Sequence, residues 1–356
     1  MTDGRGRPLA SPGPGTGPAG VPAAIAVSPI LSARIRADDL ERIRTAAPGA
    51  RIVNLSVEGL ADGPVEDIEV VLRGWLSSEA FDRLVARAPR LTWVHSATSG
   101  VERALTPAAL DRGIVVTNAR GVFTRPIAEH VLMLILAISR RLPQLLELQR
   151  ERTWQPLEGV ELRELTIGIV GYGSIGRAVA SLAGAFGARV IALRRNASGP
   201  PPTVDESDET FPFGPAPERV VGPGGLHELL AASDVVVLAA PLTPETESMI
   251  DETALAAMRP DAWLINVARG RLVDDRALLR ALEEGRIGGA ALDTFREEPL
   301  PPSSPFYDLP NVIVTPHTSW SSARVLDRSI ELFCGNLRRY ATGRPLRNVI
   351  DPGAGY

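Results

Sequence analysis

The sequence predicts an α/β protein built from two doubly wound parallel-sheet domains. Three observations support this fold class. The chain has 356 residues, which is long enough for two hydrophobic cores. Short apolar runs typical of buried strands alternate with amphipathic helical patterns, as in parallel sheets covered by helices. A second alternating series begins at Leu165, after a long helical stretch, so we expect two sheets.

The first series predicts five strands. They are Ala24–Val27, Arg51–Leu55, Ile68–Leu72, Leu91–His95 and Ile114–Thr117. Helical patterns lie between them, beginning with Ala37–Thr45. A long helix from Pro126 to about Arg152 follows, and its first half is apolar on nearly all sides. We therefore expect that helix to be buried between domains or subunits.

The second series predicts a sheet of about six strands. These are Thr166–Val170, Val190–Leu193, Val235–Leu238, Trp263–Asn266, Gly289–Leu292 and Val312–Val314. The predicted helices are Ile175–Phe186, Leu226–Ala232, Ala254–Met258 and Asp275–Glu284, with a last helix, Ser321–Tyr340, that returns to the first domain. The Gly/Pro-rich and acidic stretch Asn196–Gly225 is predicted to be an irregular surface loop.

Composition excludes several classes of function. The net charge of −4 gives no general attraction to nucleic acid or to an anionic membrane. All 38 basic residues are arginine, so a P-loop lysine and a Schiff-base lysine are excluded. A single cysteine, Cys334, excludes an intrachain disulfide and a multi-cysteine zinc site, and no metal is expected. The longest apolar run, Val131–Ile138, is far shorter than the roughly 20 residues of a membrane span. We expect a cytoplasmic protein.

A glycine-rich motif follows the first strand of the second series. Thr166–Val170 leads into Gly171-Tyr172-Gly173-Ser174-Ile175-Gly176, and a helix begins there. This strand–loop–helix context is what a dinucleotide site requires. Gly171 permits the tight turn, Gly173 lets the backbone approach a pyrophosphate, and Gly176 lets helix and strand pack closely. The free N–H groups of the helix N-terminus then face the phosphates.

The next strand ends in Arg194 and Arg195, where an NAD-binding protein usually has an acidic residue that binds the ribose 2′-hydroxyl. Two guanidinium groups at this position attract a 2′-phosphate. NADP(H) is therefore the favoured cofactor and NAD(H) a possible one. The alternative interpretation is two solvated arginines at the end of a strand.

Five sequence blocks resemble the D-isomer-specific 2-hydroxyacid dehydrogenase family, in the order found there. They are VGYGSIGRAVA, AAPLTPETESMID, INVARGRLVDDRAL, GAALDTFREEPLP and NVIVTPHTSW. The resemblance implies two Rossmann-like domains, a flavodoxin-like substrate domain and a dinucleotide-binding domain, with the active site in the cleft between them. The predicted limits are a disordered tail at 1–22, a substrate domain at 23–120 with 319–356, and a dinucleotide-binding domain at 121–318. The resemblance also implies a homodimer and a small 2-oxo acid substrate of the glyoxylate or hydroxypyruvate type.

By the same resemblance, Arg269, Glu298 and His317 are the catalytic residues. Their chemistry suits the reduction of a 2-oxo acid. The arginine fork binds a carboxylate and polarises the carbonyl, and histidine is the side chain that best donates a proton near neutral pH. A carboxylate orients the imidazole and favours its charged form. Each of the three follows a predicted strand, at the edge of the sheet where doubly wound folds place their sites.

Further site residues follow from the resemblance alone. The residues assigned to the cofactor, besides the glycine loop and the two arginines, are Pro241, Thr246, Val267, Ala268 and Asp293. Asp293 is expected at the nicotinamide carboxamide, and its alternative role is a turn cap. Substrate binding is assigned to the backbone N–H groups of Ser99, Gly100 and Val101, to Arg269 and to Trp320. Glu102 stands where the family more often has Asp.

The remaining histidines are expected outside the chemistry: His130 as a structural residue of the long helix, His95 in packing and His227 in solvent. Two alternatives of the same fold remain. One is a formate dehydrogenase type of enzyme, against which Glu298 argues because that type has Gln beside the histidine. The other is a nucleotide-sensing corepressor-like binding protein, which keeps the catalytic trio.

Overall fold

The computed structural model describes residues 20–30, 35–101, 103–197 and 217–353. The chain divides into two compact units, Met1–Val122 with Ala323–Tyr356 (unit 1) and Phe123–Ser322 (unit 2). The predicted boundaries at residues 120 and 318 fall next to the limits of these units. Most of the predicted tail, Glu102 and most of the predicted loop Asn196–Gly225 lie outside the described residues.

Strands and helices alternate along both units. The strands are β1 Ala24–Val27, β2 Arg51–Asn54, β3 Ile68–Arg73, β4 Trp93–Ser96, β5 Val115–Thr117, β6 Thr166–Val170, β7 Arg189–Leu193, β8 Arg219–Val221, β9 Val235–Leu238, β10 Trp263–Asn266, β11 Gly289–Leu292 and β12 Val312–Val314. The helices are α1 Ala37–Ala46, α2 Ser78–Arg87, α3 Pro107–Asp111, α4 Thr124–Ser139, α5 Leu142–Arg150, α6 Ser174–Ala185, α7 Leu226–Ala232, α8 Glu252–Ala257, α9 Asp275–Glu283 and α10 Val325–Ala341.

Unit 1 is a five-stranded parallel sheet in the order β2-β1-β3-β4-β5. This is the flavodoxin-like strand order. One face is covered by α1 and α10, whose apolar side chains pack on Trp93 and its neighbours. The other face is covered by α2 and α3 around Phe81. Helices on both faces explain why most positions of these strands are apolar.

Unit 2 is a seven-stranded parallel sheet in the order β12-β11-β10-β9-β6-β7-β8. The strand order reverses between β6 and β9, which is the position where doubly wound folds bind their ligands. The predicted fold class, two doubly wound parallel-sheet domains, is confirmed.

The predicted count of about six strands in unit 2 was one short. The additional strand, β8, lies within the stretch predicted to be an irregular loop, and it pairs with β7 from Ile191–Arg219 to Leu193–Val221. Three residues at the edge of the sheet, none of them buried, carry too little apolar pattern to indicate a strand. The neighbouring strand supplies the register.

The predicted long helix Pro126–Arg152 was wrong as a single element. It is two helices, α4 and α5, separated at Arg141, whose φ of 54° is left-handed. Pro143 has no N–H to continue the α4 ladder. The Ser139 carbonyl instead accepts the Val160 N–H at 2.9 Å, so a later part of the chain completes the hydrogen bonds of α4.

Across the residues that the structure describes, none of the helices combines the length and the apolar character needed to span a membrane.

Candidate active site

The glycine loop joins β6 to α6 at the topological switch point, and each glycine meets a different environment. Gly171 has φ of +104°, and a Cβ there would lie 2.4 Å from the Ala240 nitrogen. A Cβ on Gly176 would lie 2.1 Å from the Gly171 oxygen. A Cβ on Gly173 would meet nothing within 4 Å. The turn therefore requires glycine at Gly171, and close packing requires it at Gly176. Gly173 faces open space next to the α6 N-terminus.

This arrangement fits a pyrophosphate. The backbone at Gly173 is accessible, and Ser174 and Ile175 form the first turn of α6, where N–H groups have no helical acceptor. Arg194 and Arg195 follow the carboxyl end of β7, which pairs with β6. Arg194 is half-buried and donates from Nη2 to the Ala197 carbonyl at 3.1 Å, and Arg195 is exposed.

Four of the other five predicted cofactor residues lie in turns after β9 and β10, the two strands on the far side of the switch point, and the fifth, Asp293, follows β11. The Thr246 hydroxyl donates to the Pro241 carbonyl at 2.7 Å and closes the first turn. Asn266 shapes the second turn, which holds Val267 and Ala268. Its Oδ1 accepts the Ala268 N–H at 3.1 Å, and its Nδ2 donates to the Arg269 carbonyl at 3.0 Å.

His317 and Glu298 form the centre of the site. His317 Nδ1 lies 2.7 Å from Glu298 Oε2, and Glu298 Oε1 accepts the Phe295 N–H at 2.9 Å. Burial would raise the pKa of Glu298, but the hydrogen bonds from His317 and Phe295 and the charge of Arg269 hold it below its usual value. The two side chains are 41% and 36% exposed, so the imidazole is accessible from solvent while one of its nitrogens is held.

Arg269 reaches the same place through close backbone packing. It directly precedes the short 3₁₀ helix Gly270–Leu272. A Cβ on Gly270 would lie 1.9 Å from the Phe295 carbonyl carbon, so only glycine lets this turn approach the loop that carries Glu298. Arg269 Nη1 donates to the Ala268 carbonyl at 2.8 Å. The structure thus brings the three predicted catalytic residues together at one edge of the unit 2 sheet.

Asp293 and Trp320 lie on either side of the His317 backbone. Asp293 is completely buried. Its Oδ1 accepts the Thr318 N–H at 2.9 Å and its Oδ2 the Ser319 N–H at 3.0 Å, so the carboxylate caps the loop that carries His317. Trp320 Nε1 donates to the His317 carbonyl at 2.7 Å. Both side chains are therefore tied to the position of His317.

The predicted substrate loop in unit 1 follows β4 at the carboxyl edge of its sheet. The Ser99 carbonyl accepts from Asn118 Nδ2 at 2.8 Å, and the Gly100 carbonyl accepts from the Thr98 hydroxyl at 2.7 Å. Among the described residues, no acceptor faces the N–H groups of Ser99, Gly100 and Val101. Unpaired backbone donors of this kind suit a carboxylate.

Two residues near the site were not found from the sequence. Thr315 donates from its hydroxyl to Asp293 Oδ1 at 2.6 Å, and His130 Nε2 lies 3.3 Å from the Thr315 hydroxyl. Thr315 stands in the VTPH block that identifies His317, but the block alone does not indicate which groups the hydroxyl contacts. His130 was expected to be structural, and nothing in its helical pattern indicates this contact.

Comparison with known proteins identifies the family. Residues 132–319 match the D-isomer specific 2-hydroxyacid dehydrogenase, NAD binding domain family. A glyoxylate reductase from Thermofilum pendens is 37% identical over 260 residues, covering 70% of this chain and 72% of that protein. A glyoxylate reductase from Thermococcus gammatolerans is 37% identical over 288 residues, covering 78% and 80%. The chain belongs to the D-isomer-specific 2-hydroxyacid dehydrogenase family, and it is an oxidoreductase that uses a nicotinamide cofactor.

Solved structures agree over nearly the whole chain. A family member from Xanthobacter autotrophicus Py2, in complex with NADPH and MES, has a TM-score of 0.78 at 30% identity and covers 94% of this chain and 99% of that one. An NADPH-dependent glyoxylate/hydroxypyruvate reductase from Sinorhizobium meliloti has a TM-score of 0.77 at 26% identity, covering 94% and 100%. The resemblance seen in the sequence is confirmed, and these comparisons favour neither the formate dehydrogenase type nor the corepressor-like alternative.

Proposed function

We propose that this chain uses NADPH to reduce a small 2-oxo acid, of the glyoxylate or hydroxypyruvate class, to the D-2-hydroxy acid. The observation that carries the proposal is the His317–Glu298 pair, joined by Arg269 in the same unit as the glycine loop. The glyoxylate reductases among the relatives support the substrate class, and the structural neighbours, one in complex with NADPH and one NADPH-dependent and in complex with NADP, support the cofactor.

His317 is the proton donor in this reaction. Glu298 holds Nδ1, so Nε2 is the atom that delivers a proton to the carbonyl oxygen of the substrate. A negatively charged Glu298 stabilises the imidazolium from which the proton leaves. In the oxidative direction the neutral imidazole accepts the same proton. When bound, reduced nicotinamide supplies the hydride to the carbonyl carbon.

Arg269 binds the substrate carboxylate and polarises the carbonyl, because its planar fork offers paired donors to these oxygens. The backbone N–H groups of Ser99, Gly100 and Val101 are proposed as further donors to the carboxylate, and Trp320 as a substrate contact. Their support is that those donors have no acceptor among the described residues, and that a hydrogen bond fixes Trp320 to the His317 carbonyl.

The cofactor is proposed to bind along the carboxyl edge of β6, β7, β9 and β10. Gly171, Gly173, Ser174, Ile175 and Gly176 would hold the pyrophosphate, and Arg194 and Arg195 the 2′-phosphate of NADP(H). The proposed lining further along this edge is Pro241, Thr246, Val267, Ala268 and Asp293. The absence of a carboxylate at the end of β7 supports NADPH over NADH, since no acidic group there would repel the phosphate.

A homodimer formed through unit 2 is proposed from an apolar surface on α5 and the segment after it. Trp154 is fully exposed, and Leu142, Leu145 and Leu146 are more than a third exposed. No residue of α5 is buried. Exposed apolar surface of this extent is typical of an interface. The cytoplasmic location expected from the sequence stays a prediction.

The function is tested with the purified full chain and a panel of glyoxylate, hydroxypyruvate and phenylpyruvate, each with NADPH and with NADH. The loss of reduced-nicotinamide absorbance gives kcat/KM for every pair. We expect the highest value for glyoxylate or hydroxypyruvate with NADPH. Tight NADPH binding without turnover of any substrate would contradict the proposal, and a clear preference for NADH would contradict the cofactor assignment alone.

A further inference from the structure

The loop that carries His317 is held in a costly backbone conformation. His317 has φ of 48°, in the left-handed region, where a residue other than glycine costs about 1–3 kcal/mol unless its surroundings impose it. The His317 N–H donates to the Asp293 carbonyl at 2.8 Å. The Asp293 carboxylate accepts the N–H groups of Thr318 and Ser319, which follow His317. Asp293 therefore fixes this conformation from both its backbone and its side chain.

The Asp293 carboxylate is itself held in place by hydrogen bonds. Burial would raise the pKa of Asp293, but hydrogen bonds from Ser319, Thr315 and Thr318 hold it below its usual value, so the group is charged and can only accept. Thr315 must then donate its hydroxyl proton to Asp293 Oδ1, at 2.6 Å.

The direction of the hydrogen bond from Thr315 to Asp293 determines the direction of the hydrogen bond between His130 and Thr315. A threonine hydroxyl has one proton, and that proton is used at Asp293. Toward His130, 3.3 Å away, the Thr315 oxygen can only accept, so His130 carries its proton on Nε2. Burial lowers the pKa of His130, against the opposing charge of Asp293, and so favours the neutral ring. His130 therefore donates to Thr315, and Thr315 donates to Asp293. This chain of hydrogen bonds ends at the backbone of His317, whose N–H the Asp293 carbonyl accepts.

We propose that His130 and Thr315 are positioning residues, which act through Asp293 to hold the imidazole of His317 in its reactive orientation. Among the hydrogen bonds of the described residues, neither side chain joins His317 or the glycine loop. The Thr315 backbone carbonyl does accept the His317 N–H, at 3.0 Å, but this bond does not involve the Thr315 side chain. The proposal rests on the proposed function for its kinetic consequence. Its structural part, the orientation of the His317 ring, stands independently of turnover.

Thr315→Val tests this chain of hydrogen bonds, because valine has the shape of threonine without its hydroxyl. Thr315→Ser keeps the hydroxyl and is the rescue variant. Thr294→Val is the matched control, since Thr294 is a buried neighbour of Asp293 whose hydroxyl has no hydrogen-bond partner among the described residues. His130→Leu cuts the same chain at its other end and replaces Thr315→Val if that variant does not fold, as judged by thermal unfolding.

We expect Thr315→Val to lower kcat roughly ten- to a hundredfold, because small misplacements of a catalytic group have effects of this size. The KM for the 2-oxo acid and the Kd for NADPH should change less than about threefold, since neither His130 nor Thr315 is among the residues proposed to contact a ligand. Thr315→Ser should recover most of the lost kcat, and Thr294→Val should match the parent protein. Thr315→Val combined with His130→Leu should be no worse than the more damaging single variant, because both cut one chain.

A second readout does not depend on turnover. The protein has four histidines, so a histidine-labelled NMR spectrum, with His317 assigned from His317→Gln, reports its ring directly. The His317 signal should move in Thr315→Val and not in Thr315→Ser or Thr294→Val. If Thr315→Val leaves both this signal and kcat unchanged, the positioning proposal is wrong. If the parent protein turns over no 2-oxo acid, the proposed function fails while the NMR result still decides the positioning.

Discussion

At the scale of single residues, the proposed proton transfer depends on one short contact, between His317 Nδ1 and Glu298 Oε2. Three constraints meet at this pair. The left-handed backbone of His317 aims the ring, the Phe295 N–H holds the other carboxylate oxygen, and the charge of Arg269 favours ionised Glu298. Removing the imidazole and removing the carboxylate charge should therefore have different effects.

His317→Gln should lower kcat roughly 10²- to 10⁴-fold, the usual contribution of a general acid, while NADPH binds normally. Glu298→Gln keeps an oxygen that can accept from the ring and loses only the charge, so kcat should fall about tenfold. Steady-state kinetics with glyoxylate and cofactor titration by fluorescence measure both variants. A larger loss in Glu298→Gln than in His317→Gln would contradict the assignment of His317 as the proton donor.

Cofactor preference is also a residue-scale property. Arg195→Ser should weaken NADPH binding about tenfold or more, the value of one hydrogen bond between charged groups, and leave NADH binding almost unchanged. Arg276→Ser removes an exposed arginine on α9 and serves as the control. The measurement is the Kd of each cofactor at fixed ionic strength. An equal loss for NADPH and NADH would show that Arg195 does not bind the 2′-phosphate.

The sequence predicts Arg269, Glu298 and His317 as catalytic residues because each stands in a short motif with a fixed place after a strand, and the structure brings the three together. It did not indicate the contact between His130 and Thr315, which are 185 positions apart. The packing of α4 against α6 within unit 2 brings distant parts of the chain together in a way that no local pattern indicates. The capping role of Asp293 was foreseen as an alternative, but the number of donors it receives depends on the backbone of the following loop.

At the scale of elements, the β6–α6 connection contains two glycines, Gly173 and Gly176, with different surroundings. Gly173 has φ of −86°, which alanine adopts freely, and open space lies in front of it. Gly176 is packed against the Gly171 oxygen and has no room for a methyl group. We therefore expect Gly173 to be required for binding a ligand and Gly176 to be required for the fold.

Gly176→Ala should destabilise the protein by about 1–3 kcal/mol through overpacking and lower its Tm. Gly173→Ala should leave the Tm of the cofactor-free protein unchanged and weaken NADPH binding, because its methyl group occupies the path of the phosphates. Differential scanning calorimetry with and without NADPH distinguishes the two effects. Normal NADPH affinity in Gly173→Ala would argue against a pyrophosphate at this loop.

Local patterns explain which elements were predictable. A strand, the glycine loop and a helix follow one another within residues 166–185, so this strand–loop–helix motif could be predicted from the sequence. The break between α4 and α5 has a local signal in Pro143, yet the Ser139 carbonyl is satisfied by Val160, which lies outside both helices. The short edge strand β8 takes its register from β7 and has no pattern of its own.

At the scale of the whole molecule, the exposed apolar surface of α5 predicts self-association. Trp154→Glu should convert the proposed dimer to a monomer, because a buried charge without a partner destabilises an apolar interface. Trp75→Glu, at another exposed tryptophan but in unit 1, is the control and should leave the mass unchanged. Multi-angle light scattering gives the result. A parent protein that is monomeric at micromolar concentration would contradict the dimer.

Acid stability should depend on His95. This residue is completely buried, its Nδ1 lies 2.8 Å from the Thr117 hydroxyl, and burial lowers its pKa to about 3. The unfolded chain binds a proton near pH 6.5, whereas the folded protein does so only near pH 3. Since the unfolded state holds more protons in this window, the free energy of unfolding should fall as the pH drops from about 6.5 toward 3.

His95→Gln should reduce this slope, and His227→Gln, at an exposed histidine, should not. Urea unfolding at several pH values measures the free energy for each variant. Equal slopes in the parent protein and in His95→Gln would show that other groups cause the acid sensitivity.

Unit 1 is assembled from the two ends of the chain, and unit 2 from its continuous middle. The aromatic core of unit 1 joins Trp93 and His95 to Phe333 and Tyr340 of α10. On the ribosome, the first five strands therefore emerge long before the helix that covers one of their faces. The nucleotide-binding half has all its strands available earlier and can fold first, so a nascent chain would acquire a cofactor site before its sheet at the amino end is closed.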